Sequence, residues 1–497
     1  MATSWNGLSF IFSKESYMTL ILILAVTILW LLWSVSSYFR YRNRLPVPPG
    51  NLGFPFIGQT VEFLLANGTT DGIRLWMQNK ISKHGPIFKW RFLGYTMVMM
   101  DQPEGNKFVL QNEGTSNHIF WPFQICTLLG PESLLIQSGE RHKLARLHIN
   151  RFFDHTAISR YLHGVNLQAI RHFADHWQGK EQLVALDVIN LYTLSIICNL
   201  LMSLEDGPLM DKFLAEFDIF TKGAFCLPIN LPGFQYNKAL KARKSLLEML
   251  DGLLEQRRRE IAEARVPEAS QIDILQKWLT VPDEEGNLLP DSFIKDNLIL
   301  LLLAGFDTSS RTLAMTIYYI ARNPHVYEEI IQEHKSILEE KRTSGKDDRE
   351  LTTEDICAMK YTWRVLQETL RLQPVLLGGH RKTVRDLEYK GYYIPEGWVL
   401  SWNNRDSNYS PKYFKDPLNF DPSRWEERSP PFTYLPFGGG SHICLGYEFA
   451  KTAMCTFIHH LVRSYSWSLV NPNYDGPFIR DPIARTLDKT SIIVKQL

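Results

Sequence analysis

The sequence predicts a mainly α-helical protein with small β-sheets (an α+β fold), tied to a membrane by one N-terminal helix. Three observations predict it. Residues 17–39 form a run of 23 without a formal charge. From about 140 to 345, apolar residues recur three or four apart, the period of amphipathic helices. Residues 86–100 instead alternate apolar and polar side chains around Gly94-Tyr95, as a β-hairpin does.

Composition bounds the function. With 497 residues, 45% hydrophobic and 22% charged, the chain has the make-up of a globular protein. Lys+Arg is 54 against Asp+Glu 53, a net charge of +1 without the basic excess of a nucleic-acid binder. The six cysteines include no CxxC pair, which argues against a disulfide framework or a structural zinc site.

In chain order, residues 1–16 precede the charge-free run. As a helix that run is about 34 Å long, enough to cross a hydrocarbon core of about 30 Å. Trp30, Trp33 and Tyr38 cluster at its far end, where interfacial aromatics sit. Arg40, Arg42 and Arg44 follow, and only Lys14 precedes, so the positive-inside rule puts the first 16 residues in the lumen and the body in the cytoplasm. Residues 40–59 form a basic and Pro-rich hinge that cannot continue a helix. Residues 60–497 read as one large domain without linker or repeat. Arg257-Arg258-Arg259, beside Glu255 and Glu260, reads as a solvated helix face. The triplets at Asn67 and Asn408 are glycosylation acceptors, relevant only to a luminal body. The longest predicted helix starts at Pro290-Asp291, with Asp291 as its cap, and stops before Pro324. A further helix is expected from about 353 to 372, and a last one from 445 to 467.

Three constellations carry chemistry. Ala304-Gly305-Phe306-Asp307-Thr308 lies within the long apolar helix. Taken alone, the glycine reads as a packing contact and the threonine as bonded back to its own helix. Read together, they offer a groove for a small ligand with a proton relay. Glu368 and Arg371, at i and i+3, form an ion pair on one helix face, with Arg424 as a third partner if its segment folds back. Gly438-Gly439-Gly440 leads to Cys444 at a predicted helix start, where a thiolate is favoured. A single axial thiolate is one way of holding haem. Without a following Gly-Lys-Ser/Thr, the loop is not a phosphate loop. Cys455 and His459, on the last helix, read as packing residues rather than metal ligands.

Phe437-x-x-Gly440-x-His442-x-Cys444-x-Gly446 resembles the haem-loop signature of the cytochrome P-450 monooxygenases. The Ala304–Thr308 segment, Glu368-x-x-Arg371, Arg424, the anchor and the hinge resemble that superfamily in the same order. The resemblance implies the P-450 fold and a haem b whose iron is ligated by the Cys444 thiolate. It puts Ala304, Gly305, Phe437, Gly440 and Gly446 around the haem. His142, Arg146, Arg381 and His442 then stand at the positions facing its propionates, although His442 replaces the common arginine and His142 the common tryptophan. Asp307 and Thr308 become the catalytic pair, while Glu368, Arg371 and Arg424 are structural. Oxygen-independent relatives that rearrange hydroperoxides typically lack that acid–threonine pair. A non-catalytic haem-binding membrane protein is the other alternative.

No nicotinamide or flavin fingerprint is present. The resemblance therefore implies electrons from a separate NADPH–cytochrome P-450 reductase on the endoplasmic reticulum membrane and allows cytochrome b5 as a second donor. Arg141, Lys143 and Lys451 are candidates for its docking surface. The segments 358–363, 391–398 and 227–233 resemble the plant branch that oxidises triterpenoids, taxanes and brassinosteroids. Expected pocket walls are Phe120, Phe123, Phe225, Leu227, Leu300, Leu303, Val375, Leu376 and Thr486. These imply a bulky, weakly polar substrate, oxidised with O2, and no charged partner for it.

Overall fold

In the computed structural model, the residues described are 46–497, without 55–56, 154, 205–206, 264–272, 283–285 and 348, together with a few isolated positions before 46. The first 16 residues, most of the charge-free run and the arginines after it lie outside the described residues. The Pro-rich hinge is fastened to the body where it is described. Pro46 and Pro49 carbonyls accept the Tyr393 and Lys89 backbone N–H groups at 3.0 and 2.7 Å. Lys89 Nζ donates to the Pro48 carbonyl at 2.6 Å.

Twelve strands are described: β1 Ile87–Phe92, β2 Tyr95–Met100, β3 Asn117–Ile119, β4 Gln182–Val184, β5 Gly378–Thr383 and β6 Leu387–Tyr389. The remainder are β7 Tyr392–Ile394, β8 Val399–Asn403, β9 Tyr465–Leu469, β10 Ile479–Arg480, β11 Ala484–Arg485 and β12 Ser491–Gln496. The largest sheet runs β1-β2-β8-β5-β3, with β2 and β8 parallel. Its first hairpin turns at Leu93-Gly94, one residue earlier than expected. Both residues have positive φ, 48° and 85°, the geometry that matches the twist of a tight hairpin.

The remaining architecture is helical. The central helix, Asp291–Arg322, has 32 residues and buries Leu298–Leu302. It packs lengthwise on the helix Ala185–Met202. Asp291 is not its cap: the N-cap is Pro290, and Asp291 pairs with Arg258 at 2.5 Å. Arg258 and Arg259 are exposed, as expected of a solvated face. Arg257 alone turns inward: half-buried, it pairs with Asp273 at 2.7 Å and donates to the Met202 carbonyl at 3.1 Å.

The predicted helix over 353–372 is two helices, Thr353–Ala358 and Lys360–Leu372, broken at Met359. The Glu333 carboxylate, from the helix Pro324–Thr343, makes the restart favourable. It accepts the free N–H groups of Tyr361 and Thr362 at 2.5 and 2.9 Å. The last helix is shorter than expected, Tyr447–Ser464, because its predicted tail enters the sheet as β9. Asn408 is 1% exposed and bonded to the Arg371 carbonyl, so it offers no surface for a glycan.

Candidate active site

The central helix turns two faces to different surroundings. Ala304 is exposed and Thr308 half-buried, although the helix around them is largely buried. Four residues apart, they share one face. Thr308 Oγ1 donates to the Ala304 carbonyl at 2.6 Å. Gly305 does not share that face. A Cβ there would lie 3.1 Å from Ile197 Cδ1, so this glycine lets the central helix approach the helix Ala185–Met202. In that direction Gly305 serves a helix–helix contact.

Asp307 is buried and accepts from Arg311 Nε at 2.7 Å. Arg311 also reaches Asp481 at 2.5 Å and the Ile483 carbonyl at 3.0 Å, joining the helix to the hairpin β10–β11. Burial pushes the Asp307 carboxyl up, and Arg311 partly offsets this.

Gly438 and Gly440 have φ of 74° and 71°, a region that penalises any Cβ. Gly440–His442 forms a short 3₁₀ turn, and the Cys444 N–H donates to the Phe437 carbonyl at 2.9 Å. Phe437 is held edge-on to Tyr447 at 4.8 Å. Gly446 is the N-cap of the last helix, so Cys444 precedes the helix rather than opening it. The Gly446 N–H and the nearby Arg146 favour the thiolate. Packing of protein around the sulfur raises the thiol against them, although the residue as a whole is exposed.

Beside this loop, His142 and His442 stack at 3.8 Å. His142 Nε2 is buried without a hydrogen-bond partner. Burial, then His442 and Arg146, bring His142 down to about 4. Arg146 Nη1 donates to the Ile443 carbonyl at 2.9 Å. Arg381 and His442 meet a residue the sequence did not single out, Glu113, at 3.0 and 2.5 Å. Burial pushes the Glu113 carboxyl up, but the bonds from His442 and Arg381 prevail and hold it at about 2. Within Asn112-Glu113-Gly114 it has only the look of a turn.

Beneath the loop lies the ion-pair network. Glu368 and Arg371 are 0% exposed. Glu368 accepts from Arg371 at 2.8 and 2.9 Å, from Arg424 at 2.9 Å, from the Asp421 N–H at 3.0 Å and from Trp425 at 3.1 Å. Arg371 also donates to the carbonyls of Asn408, Pro417 and Asn419. Arg424 folds back as anticipated. Cys455 and His459 are buried on the last helix, with His459 between His334 and Arg463 at 2.9 and 3.1 Å. Lys143 pairs with Glu140 at 2.6 Å, and Lys451 stands 5.7 Å over the Trp363 ring.

A cavity of about 680 Å³ borders the Asp307 side of the central helix. Phe225, Val375 and Leu376 line it as expected. Phe120, Phe123, Leu227, Leu300, Leu303 and Thr486 do not. Phe120 packs on Tyr95 at 4.7 Å, Leu300 and Leu303 belong to the core, and Thr486 bonds Thr490. Phe123 and Leu227 are exposed on the surface. Trp121, Phe217 and Phe306 form the wall instead. The wall also carries charges that the sequence reading did not expect. Lys222 pairs with Asp218 at 2.5 Å and Arg311 with Asp481, while Arg405 and Arg480 donate to the Thr70 and Pro374 backbone carbonyls.

A loop thiol after three glycines, an adjacent acid and threonine on the central helix, and a buried Glu–Arg–Arg network are features of one class, the haem-thiolate oxygenases. The chain belongs to the cytochrome P450 family, whose model matches residues 48–490, and is a monooxygenase of that family. Taxane 13-alpha-hydroxylase of Taxus cuspidata is 35% identical over 442 residues, 88% of this chain and 90% of that protein. A beta-amyrin 28-monooxygenase of Solanum lycopersicum is 33% identical over 458 residues, 92% of this chain and 94% of that protein. Among solved structures, the retinoic acid-bound cyanobacterial CYP120A1 superposes with a TM-score of 0.80 at 28% identity, over 91% of this chain and 100% of that one.

Proposed function

We propose that this chain hydroxylates, or further oxidises, a polycyclic terpenoid or steroid-like substrate. It does so as a single-pass protein of the endoplasmic reticulum membrane with its catalytic domain in the cytoplasm. Electrons come from NADPH–cytochrome P450 reductase, with cytochrome b5 as a second donor. The reading is carried by the aromatic- and aliphatic-walled cavity of about 680 Å³, within the range that encloses a multi-ring molecule. The related taxane and beta-amyrin oxygenases supply the substrate class.

The donor set suits a haem b. Cys444 offers one sulfur, Ala304 and Thr308 offer a helix face without bulk, and the unpartnered His142 Nε2 with Arg146 offers donors to carboxylates. Bound there on the Cys444 thiolate, the haem supplies O2 activation and transfer of one oxygen atom to a C–H bond. Thr308 turns its hydroxyl from the Ala304 carbonyl toward that face. Asp307, buried one residue before it, holds the proton that Thr308 passes on. Glu368, Arg371 and Arg424 keep the segment before the loop in place.

Access from lipid fits the surface. Leu64 and Phe225 both border the cavity. Around them Phe54, Ile57, Leu65, Leu227, Leu231 and Phe234 are all exposed. Such side chains favour a bilayer over water. Incubating the membrane-bound enzyme with reductase, NADPH and panels of triterpenes, diterpenes, sterols and fatty acids tests the proposal. Turnover of a cyclic terpenoid is expected. Turnover confined to fatty acids or small phenolics would refute the substrate class, and product without reductase and NADPH would refute the monooxygenase route.

A further inference from the structure

Glu113 sits where two elements that are distant in sequence converge. It follows the helix Pro103–Gln111, and the glycine-rich loop packs directly on that helix end. A Cβ on Gly440 would lie 2.9 Å from the Leu110 carbonyl and 3.4 Å from Glu113 Oε2. The Glu113 side chain is 5% exposed, and its neighbours Arg381 and His442 are 4% and 11% exposed.

Arg381 spends its guanidinium here. Nε lies 3.0 Å from Glu113 Oε1, Nη2 donates to Oε2 at 3.2 Å, and Nη1 donates to the His380 carbonyl at 3.0 Å. The Nη2 contact is a hydrogen bond, while the Nε contact is an ion pair without hydrogen-bond geometry. His442 is similarly engaged, with Nδ1 2.5 Å from Glu113 Oε1 and Nε2 3.1 Å from the Gln137 carbonyl. Both side chains that the family resemblance aims at haem propionates therefore already hold a protein carboxylate. Besides Arg381 Nε, a buried nitrogen without a hydrogen bond stands on His142, whose ring is stacked against His442.

We propose that Glu113 is a positioning residue of the haem pocket: it fixes Arg381 and His442, the His442 ring in turn fixes His142, and His142 with Arg146 meets the haem carboxylates. This rests on the reading that Cys444 ligates haem. The loop carrying Cys444 is then pinned from the helix Pro103–Gln111 by a buried ion-pair fork. Without Glu113, the Arg381 guanidinium would be left without its carboxylate in a dry interior, which costs more than the pair is worth when formed.

Haem transfer from the intact holoenzyme to excess apomyoglobin, with the iron reduction potential as second readout, tests it in Glu113→Gln, His442→Gln and the double variant. Each single substitution is expected to speed haem release about tenfold. The double should be no more than about threefold faster than either single, since both remove one contact. Loss of a buried negative charge should also shift the potential of Glu113→Gln to more positive values, which a purely structural role would not do. If that variant does not accumulate, Glu113→Asp keeps the charge on a shorter arm and should release haem between about twofold and tenfold faster. Release at the wild-type rate, an unmoved potential, or single effects that multiply in the double would overturn the proposal. A wild-type protein without the thiolate carbonyl band would remove the haem reading itself. An intact band with unaltered Glu113→Gln kinetics would remove only the part assigned to Glu113.

Discussion

Cys444 and Thr308 divide the chemistry between binding and proton delivery, and substitution separates the two. Reduced wild-type protein under carbon monoxide is expected to show a Soret band at about 450 nm, the mark of thiolate ligation. Cys444→Ser should lose that band. Thr308→Ala should keep it, since the Thr308 hydroxyl bonds only its own helix at Ala304. Its deficit should appear as NADPH consumed without product, with hydrogen peroxide released in its place. Product formation and peroxide yield at wild-type levels in Thr308→Ala would show that the hydroxyl carries no proton. These two residues were legible in the sequence because each stands in a local pattern. Glu113 was not, because its meaning depends on Arg381, 268 residues away. No period or spacing encodes such a meeting.

Among elements, the contact between the central helix and the helix Ala185–Met202 gives a graded test. Gly305 makes that contact close, and a Cβ there would stand 3.1 and 3.2 Å from Ile197 carbons. Two effects oppose each other in Gly305→Ala. Alanine is favoured over glycine in a helix by about 1 kcal/mol, and a slight shift of Ile197 costs a comparable amount. The net change in thermal stability should fall within about 1 kcal/mol. Gly305→Val has no such balance and should destabilise by about 1–3 kcal/mol. Equal melting of the valine and wild-type proteins would show that the helices separate freely. The long apolar helix and its end before Pro324 were readable from periodicity. Its Gly305 face was not, since an apolar stripe does not say which neighbour occupies each side. The break at Met359 was hidden for a related reason. The capping carboxylate, Glu333, comes from another helix.

At the scale of the whole molecule, buried histidines set the acid limit of stability. Burial is the main cause that lowers His172 and His334 to about 3 and His460 to about 4, while His459 lies well below its usual value. His334 and His459 bond each other at 2.9 Å, and His334 also bonds Thr362 at 3.0 Å. The folded values lie below the unfolded one of about 6.5. The unfolded chain therefore takes up protons first as pH falls, and stability declines from about pH 6.5 downward. At pH 5 each histidine that stays neutral costs about 2 kcal/mol. Melting temperatures should be level from about pH 7 to 8 and drop steeply from 6.5 to 5. A flat profile through that interval would mean that these rings carry protons in the folded state. The family fold was legible because its motifs recur in order along the chain. The cavity wall was less so, because loop residues follow no period, and Trp121 rather than its neighbour Phe120 faces inward.

The Arg311 tether makes an interior carboxylate answerable to the solvent. One end of it touches Asp307, whose side chain is 12% exposed, and the other touches Asp481, which is 47% exposed. Dissolved ions screen an exposed charge far more than a buried one. Rising ionic strength therefore loosens the outer hold first and leaves Arg311 leaning on Asp307, which then gives up its proton more readily. Salt in the surrounding medium becomes an adjustable input to proton supply deep in the protein, transmitted by a single side chain.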